Sequence, residues 1–298
     1  MRDSAVLLID CPDRKGLVAR VSGMLYERGA NILHADQHQD HDLGLFFMRV
    51  EFGLDGPENN GEAAPISAEP QRFDLERFKS AFAPLAAELG MRWTLTSGAR
   101  RPRMALFCSQ YLHCMADLLQ RWRSGELDCD IPVIVSNHRD VERLAAFYGI
   151  PFEHVAVTKE TRAGAETHQL ALLEHHGVEL VVLARYMQIL SPAFVARYPA
   201  AIINVHHSFL PAFTGARPYH AAHERGVKLI GATSHYVTEV LDDGPIIEQD
   251  VARISHRDQV EDLVARGRDL ERMVLSRAVR WHIDRRILCY GNKTVVFD

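Results

Sequence analysis

Residues 178–213 read VELVVLARYMQILSPAFVARYPAAIINVHHSFLPAF. Two apolar runs, Val178 to Ala184 and Ala201 to Val205, flank a short stretch, 192–198, that reads as helix. Each run is strand-sized and mostly apolar, the pattern of a strand covered on both faces by helices in a parallel sheet. Asn204 and His206 stand two apart where the second run ends, so a strand continuing to His206 turns both side chains to one side. Ligands of open α/β sheets bind beyond the carboxyl ends of the strands. A neutral amide beside an imidazole is a pair that can grip a carbonyl oxygen as it becomes an oxyanion.

Working outward, Met104 to Cys108 and Pro132 to Ser136 read as further buried strands, and helical segments near 111–123, 141–147 and 163–176 lie between these two and the run from Val178. Downstream, Leu229 to Val237 and Pro245 to Ile254 are strand-like, joined by the polar loop YVTEVLDDGP (236–245) with its adjacent Asp242 and Asp243. A long amphipathic helix follows over 259–283, carrying Leu263, Leu270, Val274, Ala278 and Trp281. A carboxylate from the 236–245 loop brought near His206 would fix its protonation state or take a proton from water.

The chain before residue 97 has another rhythm. Ala5 to Ile9 reads as a buried strand. Leu17, Val18, Val21, Met24 and Leu25 form one helical face that Gly29 terminates. Asn31 to Gln39 reads as a strand, and Phe46, Met48, Val50 and Phe52 alternate along the next. Leu75 to Leu89 reads as a second helix and Met91 to Thr96 as a last strand. The order is βαββαβ, that of a ferredoxin-like sheet with helices on one face. Residues 53–72, GLDGPENNGEAAPISAEPQR, read as a mobile loop inside it. The expected division is residues 1–97, a linker at 98–103 (GARRPR), and residues 104–298, consistent with about 150 residues per domain in a chain of 298.

Composition narrows the function. Lys+Arg 34 against Asp+Glu 39 gives a net charge of −5, which argues against a nucleic-acid or anionic-membrane partner. No apolar run approaches the roughly 18 residues of a membrane span. The N-terminal residues do not read as a signal peptide. The five cysteines, Cys11, Cys108, Cys114, Cys129 and Cys289, contain no CxxC pair. That argues against a disulfide framework or a thiolate zinc site and for a cytoplasmic protein. Among the 16 histidines, His34, His38 and His41 fall across a strand and turn and do not converge as metal ligands would.

Two resemblances sharpen these readings. NVHHSFLPAF followed by HYVTEVLDDGPII resembles the signature of the formyltetrahydrofolate-dependent formyltransferases. It implies catalytic roles for Asn204, His206 and Asp242, a metal-free and cofactor-free site, and folate contacts from Met187, Ile189, Leu190, Ser208, His235 and Val237. DCPDRKGLVARVSGMLYERGANI (10–32) is similar to ACT domains, which implies an amino-acid effector site at Asp13, Gly16, Leu17 and Asn31, a homo-oligomer, and methionine or glycine as the effector. An ACT module ahead of such a domain resembles the arrangement of the deformylase family, for which water is the acceptor. The residues after the first strand of the second domain, CSQYLHCMAD (108–117), have no glycine. Transferases to glycinamide ribonucleotide carry a Gly-rich loop there, whose backbone N–H groups approach a phosphate. Gln188 stands where relatives often have Arg. The expected activity is hydrolysis of 10-formyltetrahydrofolate to tetrahydrofolate and formate, serving purine biosynthesis and one-carbon balance. The alternatives are formyl transfer to an amine and a non-catalytic folate or amino-acid sensor.

Overall fold

Seven of the nine residues of β1 (Ser4–Pro12) are buried, because this strand is central in its sheet. After it come α1 (Leu17–Tyr26), β2 (Asn31–Asp40), β3 (Leu45–Gly53), α2 (Leu75–Leu89) and β4 (Arg92–Ser97). The sheet order β2-β3-β1-β4 is that of the expected βαββαβ module. The computed structural model describes residues 4–54, 73–211 and 218–298; the loop expected over 53–72 lies, from residue 55 on, outside them.

Local chemistry sets the ends of α2. Asp74 caps it, its carboxylate accepting from the backbone N–H groups of Glu76 and Arg77, and Gly90 closes it in the left-handed region at φ 64°. Phe78, Phe82, Ala86 and Leu89 then face the sheet, where Phe82 meets the Trp93 ring edge-on at 5.0 Å. Leu7, Ile9, Val21, Leu25, Phe52 and Phe78 complete this core.

The second sheet contains β5 (Met104–Cys108), β6 (Ile134–Ser136), β7 (Phe152–His154), β8 (Leu180–Leu183), β9 (Ile202–His206), β10 (Leu229–Tyr236) and β11 (Ile246–Arg253), in the order β11-β10-β9-β8-β5-β6-β7. Pairs from β9 to β7 are parallel, while β10 and β11 are antiparallel additions. The helices are α3 (His113–Arg123), α4 (Glu142–Tyr148), α5 (Arg162–His175), α6 (Pro192–Ala196), α7 (Pro218–Arg225) and α8 (Val260–Ile283), and a hairpin of β12 (Ile287–Tyr290) and β13 (Lys293–Val296) ends the chain. From β5 the strand order runs one way through β6 and β7 and the other way through β8 and β9. This reversal is the switch point at which such sheets bind ligands.

The chain divides into one unit of Met1–Arg101 with Arg285–Leu288 and Val295–Asp298, and a second of Pro102–Asp284 with Cys289–Thr294. The sequence pattern places all of 104–298 in the second domain. The C-terminal segments differ because they bond into the first unit: Arg49 Nε donates to the Arg285 carbonyl, and the Asp298 N–H to Asp36.

Truncating Phe82 to Ala is expected to destabilise the first unit by about 3–5 kcal/mol, the usual result of emptying a buried aromatic site. Urea unfolding followed by Trp93 fluorescence would show it as a lower midpoint with little change in slope.

Candidate active site

β9 does continue to His206, so Asn204 and His206 point to the same side of the sheet. The antiparallel register with β10 sets His235 opposite Asn204 and Thr233 opposite His206. Directly opposed residues on neighbouring strands share a face, and Asn204 Nδ2 lies 3.3 Å from His235 Nε2. The other ring nitrogen of His235, Nδ1, is 2.9 Å from the Tyr236 carbonyl oxygen. A carbonyl only accepts, so Nδ1 carries the proton and Nε2 of neutral His235 accepts from Asn204. Burial lowers the His235 pKa and favours this neutral form. The orientation of the Asn204 amide follows, and its second N–H is free to donate elsewhere.

The 236–245 loop delivers Asp242. It folds back on the end of β10, where the Tyr236 N–H donates to the Pro245 carbonyl. Asn292 Nδ2 donates to the Asp243 carbonyl. A Cβ on Gly244 would stand 1.7 Å from the Tyr236 carbonyl oxygen, so only glycine closes the loop this tightly. Asp242 takes φ 56°. Its Oδ2 accepts from His206 Nδ1 at 3.2 Å, and its Oδ1 is 3.7 Å from His235 Nε2. The His206 hydrogen bond holds the Asp242 carboxyl below its ordinary pKa, against the effect of burial. With Nδ1 committed to Asp242, Nε2 is the remaining polar atom of His206; it is buried and has no hydrogen-bond partner.

These groups line one cavity of about 600 Å³. Its walls include Asn204, His206, His207, His235 and Asp242, with Met187, Ile189, Leu190 and Val237 supplying apolar surface. Thus all three expected catalytic residues and five of the six expected folate contacts converge. The exception is Ser208. It is buried off the cavity wall, where its carbonyl accepts from Thr233 Oγ1 at 2.9 Å, because the chain past His206 turns back against β10. Gln188 is also on the wall.

Sequence reasoning missed Arg185, which stands here with His207. Both line the cavity. Burial, then the Arg185 charge, then His206 push the His207 pKa down to about 4. The signal available for Arg185 was a lone cation directly after an apolar strand.

In the first unit, Asp13, Gly16 and Leu17 line a second cavity of about 980 Å³ with Arg14, Lys15, Gln37, His38 and Gln39. Gly16 takes φ 89° at the start of α1. Asn31, expected to face this turn, is at the other end of the sheet. Asn31 and Ser4 both pair with Gly53, whereas Pro12 and Asp40 both pair with Leu45. The crossover through α1 makes β2 parallel to β1, so the start of β2 returns to the start of β1. It is Gln37 to Gln39, near the end of β2, that reach the turn, and Gln39 Nε2 bonds the Asp13 carboxylate at 3.2 Å. The expectation that His34, His38 and His41 bind no metal concerns exposed side chains on β2 and the turn after it.

Together the fold and site define an ACT domain followed by a formyl transferase domain. Family models match in that order, ACT domain over residues 5–62 and formyl transferase over residues 102–279. A formyltetrahydrofolate deformylase of Synechocystis sp. is 52% identical over 294 residues, covering 99% of this chain and 98% of its own. The crystal structure of a formyltetrahydrofolate deformylase from Pseudomonas syringae superposes with TM-score 0.92 at 48% identity, covering 100% of this chain and 95% of that one. Glycinamide ribonucleotide transformylase 1 from Symbiobacterium toebii reaches TM-score 0.63 at 29% identity over 68% of this chain and 97% of its own. The chain belongs to the formyltetrahydrofolate deformylase family.

His207 gives the site a pH signature. Between its folded value of about 4 and the ordinary 6.5, the unfolded chain binds a proton that the native state refuses. Stability therefore falls as pH drops through that window. Thermal melts of the wild type and His207→Gln from pH 7 to 4 should show a shallower acid decline in the variant.

Proposed function

We propose that the cavity of the second unit hydrolyses 10-formyltetrahydrofolate to tetrahydrofolate and formate, with Asn204, His206 and Asp242 as its catalytic residues. The carrying observation is the convergence of the unpartnered His206 Nε2, the free N–H of Asn204 and the Asp242 carboxylate on one cavity. With Nδ1 donating to Asp242, a proton on Nε2 of His206 lets it donate, together with Asn204, to the formyl oxygen. Water attacks the formyl carbon and gives a proton to Asp242. Collapse of the tetrahedral intermediate breaks the bond to N10, which takes that proton, and formic acid ionises to formate. Met187, Ile189, Leu190 and Val237 offer apolar contact to the flat rings of the folate. Gln188 meets the anionic tail with neutral hydrogen bonds only.

No metal or cofactor enters this scheme. Among the described residues His113, Cys114 and Glu271 form a possible metal-ligating group. The cation Arg185 lies 3.4 Å from Glu271, and burial raises the Cys114 thiol well above its ordinary pKa; both disfavour a metal there. The five cysteines are free, which suits a cytoplasmic protein. Among the described residues no helix is long and apolar enough to cross a membrane.

Asp242→Asn is expected to lower turnover by about 100- to 1000-fold, on the scale of losing one element of oxyanion stabilisation, while folate binding measured by fluorescence quenching persists. Formate release by the wild type should not need an amine. Near-wild-type turnover in the variant would remove the role of Asp242, and formylation of added glycinamide ribonucleotide at a comparable rate would restore the transferase reading.

The first unit senses an amino acid, in a homo-oligomer. Its cavity combines Gly16 at the start of α1, where an anion is favoured, with Arg14 and Lys15 as cations for an α-carboxylate. Calorimetric titration of methionine and glycine, alongside formate assays, should show binding heat and a change of rate, with Arg14→Ala weakening both. No heat and no rate change at millimolar ligand would leave the unit a structural role.

A further inference from the structure

Arg185 follows β8 and lines the cavity beside β9. It adopts φ 64°, a backbone conformation that costs an L side chain strain and suits glycine. It is also more than nine-tenths buried. A charged side chain in such a place needs partners, and its nearest is Glu271 of α8, 3.4 Å from Nε. Yet the hydrogen-bonding capacity of that carboxylate is directed elsewhere. Oε1 accepts from the Tyr219 hydroxyl at 2.7 Å, and Oε2 lies 2.7 Å from His113 Nε2. Nε and Nη1 of Arg185 are both buried and make no hydrogen bond. The Tyr111 ring covers the guanidinium at 5.2 Å.

The surroundings are built to hold this cation in place. Gly267 of α8 has no Cβ; one there would stand 2.1 Å from the Tyr219 hydroxyl, so this glycine lets Tyr219 reach Glu271. His113, Arg185 and Tyr219 keep Glu271 ionised against its burial. Ser109 braces the Arg185 backbone, its N–H donating to the Arg185 carbonyl and its Oγ accepting from the Met187 N–H. His207 on the same wall feels the positive charge.

A fixed guanidinium with unused N–H donors, on the wall that carries the catalytic residues, fits a small planar carboxylate. We propose that Arg185 is an anion-binding residue of this cavity and that its ligand is the formate released by the reaction. This deepens the hydrolase reading and rests on it for the source of the anion. Arg185 and the pair Asn204–His206 then act in succession: the pair receives the formyl oxygen while it is part of the folate, and Arg185 receives the carboxylate once the bond to N10 has broken.

The test is binding of ¹³C-formate, followed by its NMR line width, to the wild-type full chain without folate. The variants are Arg185→Gly, which suits the left-handed backbone, and Arg185→Lys, with folding checked by circular dichroism. Wild type should broaden the signal saturably. Arg185→Gly should weaken binding by about 10- to 100-fold, the loss of a charge-assisted hydrogen bond, and Arg185→Lys should restore part of it. Product inhibition of folate turnover by formate should weaken in step. Equal broadening by wild type and a folded Arg185→Gly would overturn the proposal, as would displacement of formate by inorganic phosphate at least as readily as by unlabelled formate. A wild type that binds formate through Arg185 but releases none from 10-formyltetrahydrofolate would remove the hydrolase reading and leave the anion site standing.

Discussion

The hydrogen bond from His206 Nδ1 to Asp242 Oδ2 is the interaction on which the site depends. It uses one ring nitrogen, leaves Nε2 for the cavity, and holds a carboxylate in its ionised form. Its two partners come from different elements 36 positions apart, and neither element alone orients them. β9 supplies the imidazole at a strand end, and the loop after β10 supplies the acid. The loop stays in place because Gly244 can lie against the Tyr236 carbonyl where any side chain would collide. The pairing of β9 with β10 does the remaining work, since the register that sets Thr233 beside His206 also sets His235 beside Asn204. One strand pairing therefore aligns the two groups proposed to receive the formyl oxygen.

The parts legible in the sequence were those governed by short-range periodicity. The two-residue spacing of Asn204 and His206 survives into the structure because β9 runs unbroken through both. The limits of α2 were readable because Leu75 to Leu89 shows one apolar face ending at a glycine. α7 escaped notice, as its run from Pro218 to Arg225 is polar and follows a stretch without periodicity. β7 is only three residues long, below what alternation can signal. The C-terminal segments were invisible as contributors to the first unit, because the bonds that Arg285 and Asp298 make to Arg49 and Asp36 span 236 and 262 residues. The misplaced Asn31 has a topological cause. Proximity to a strand–helix turn was inferred along the chain, whereas a right-handed crossover carries the next strand back to the far end.

The Arg185 network was hidden for the same reason of distance. His113, Tyr219 and Glu271 look like ordinary polar positions on three separate helices, and only packing makes them one cluster. Two ionic arrangements consequently bound the same cavity. On one side Asp242 carries negative charge, its carboxyl held ionised by the hydrogen bond from His206. On the other, Arg185 carries positive charge that works against protonation of His207. Two adjacent histidines thereby stand beside groups of opposite charge, although nothing in the His-His dipeptide distinguishes them.

That polarity bears on the product. The anion that hydrolysis creates is the species that a guanidinium on the wall favours. The loop after β5 reinforces this arrangement. Ser109 is spent on bracing residues 185–187, and Tyr111 is stacked over the Arg185 guanidinium. A glycine-rich turn in the same place would expose backbone N–H groups to a phosphate. Here that stretch of chain secures a cation instead, and hydrolysis and the positioning of Arg185 become two consequences of one loop.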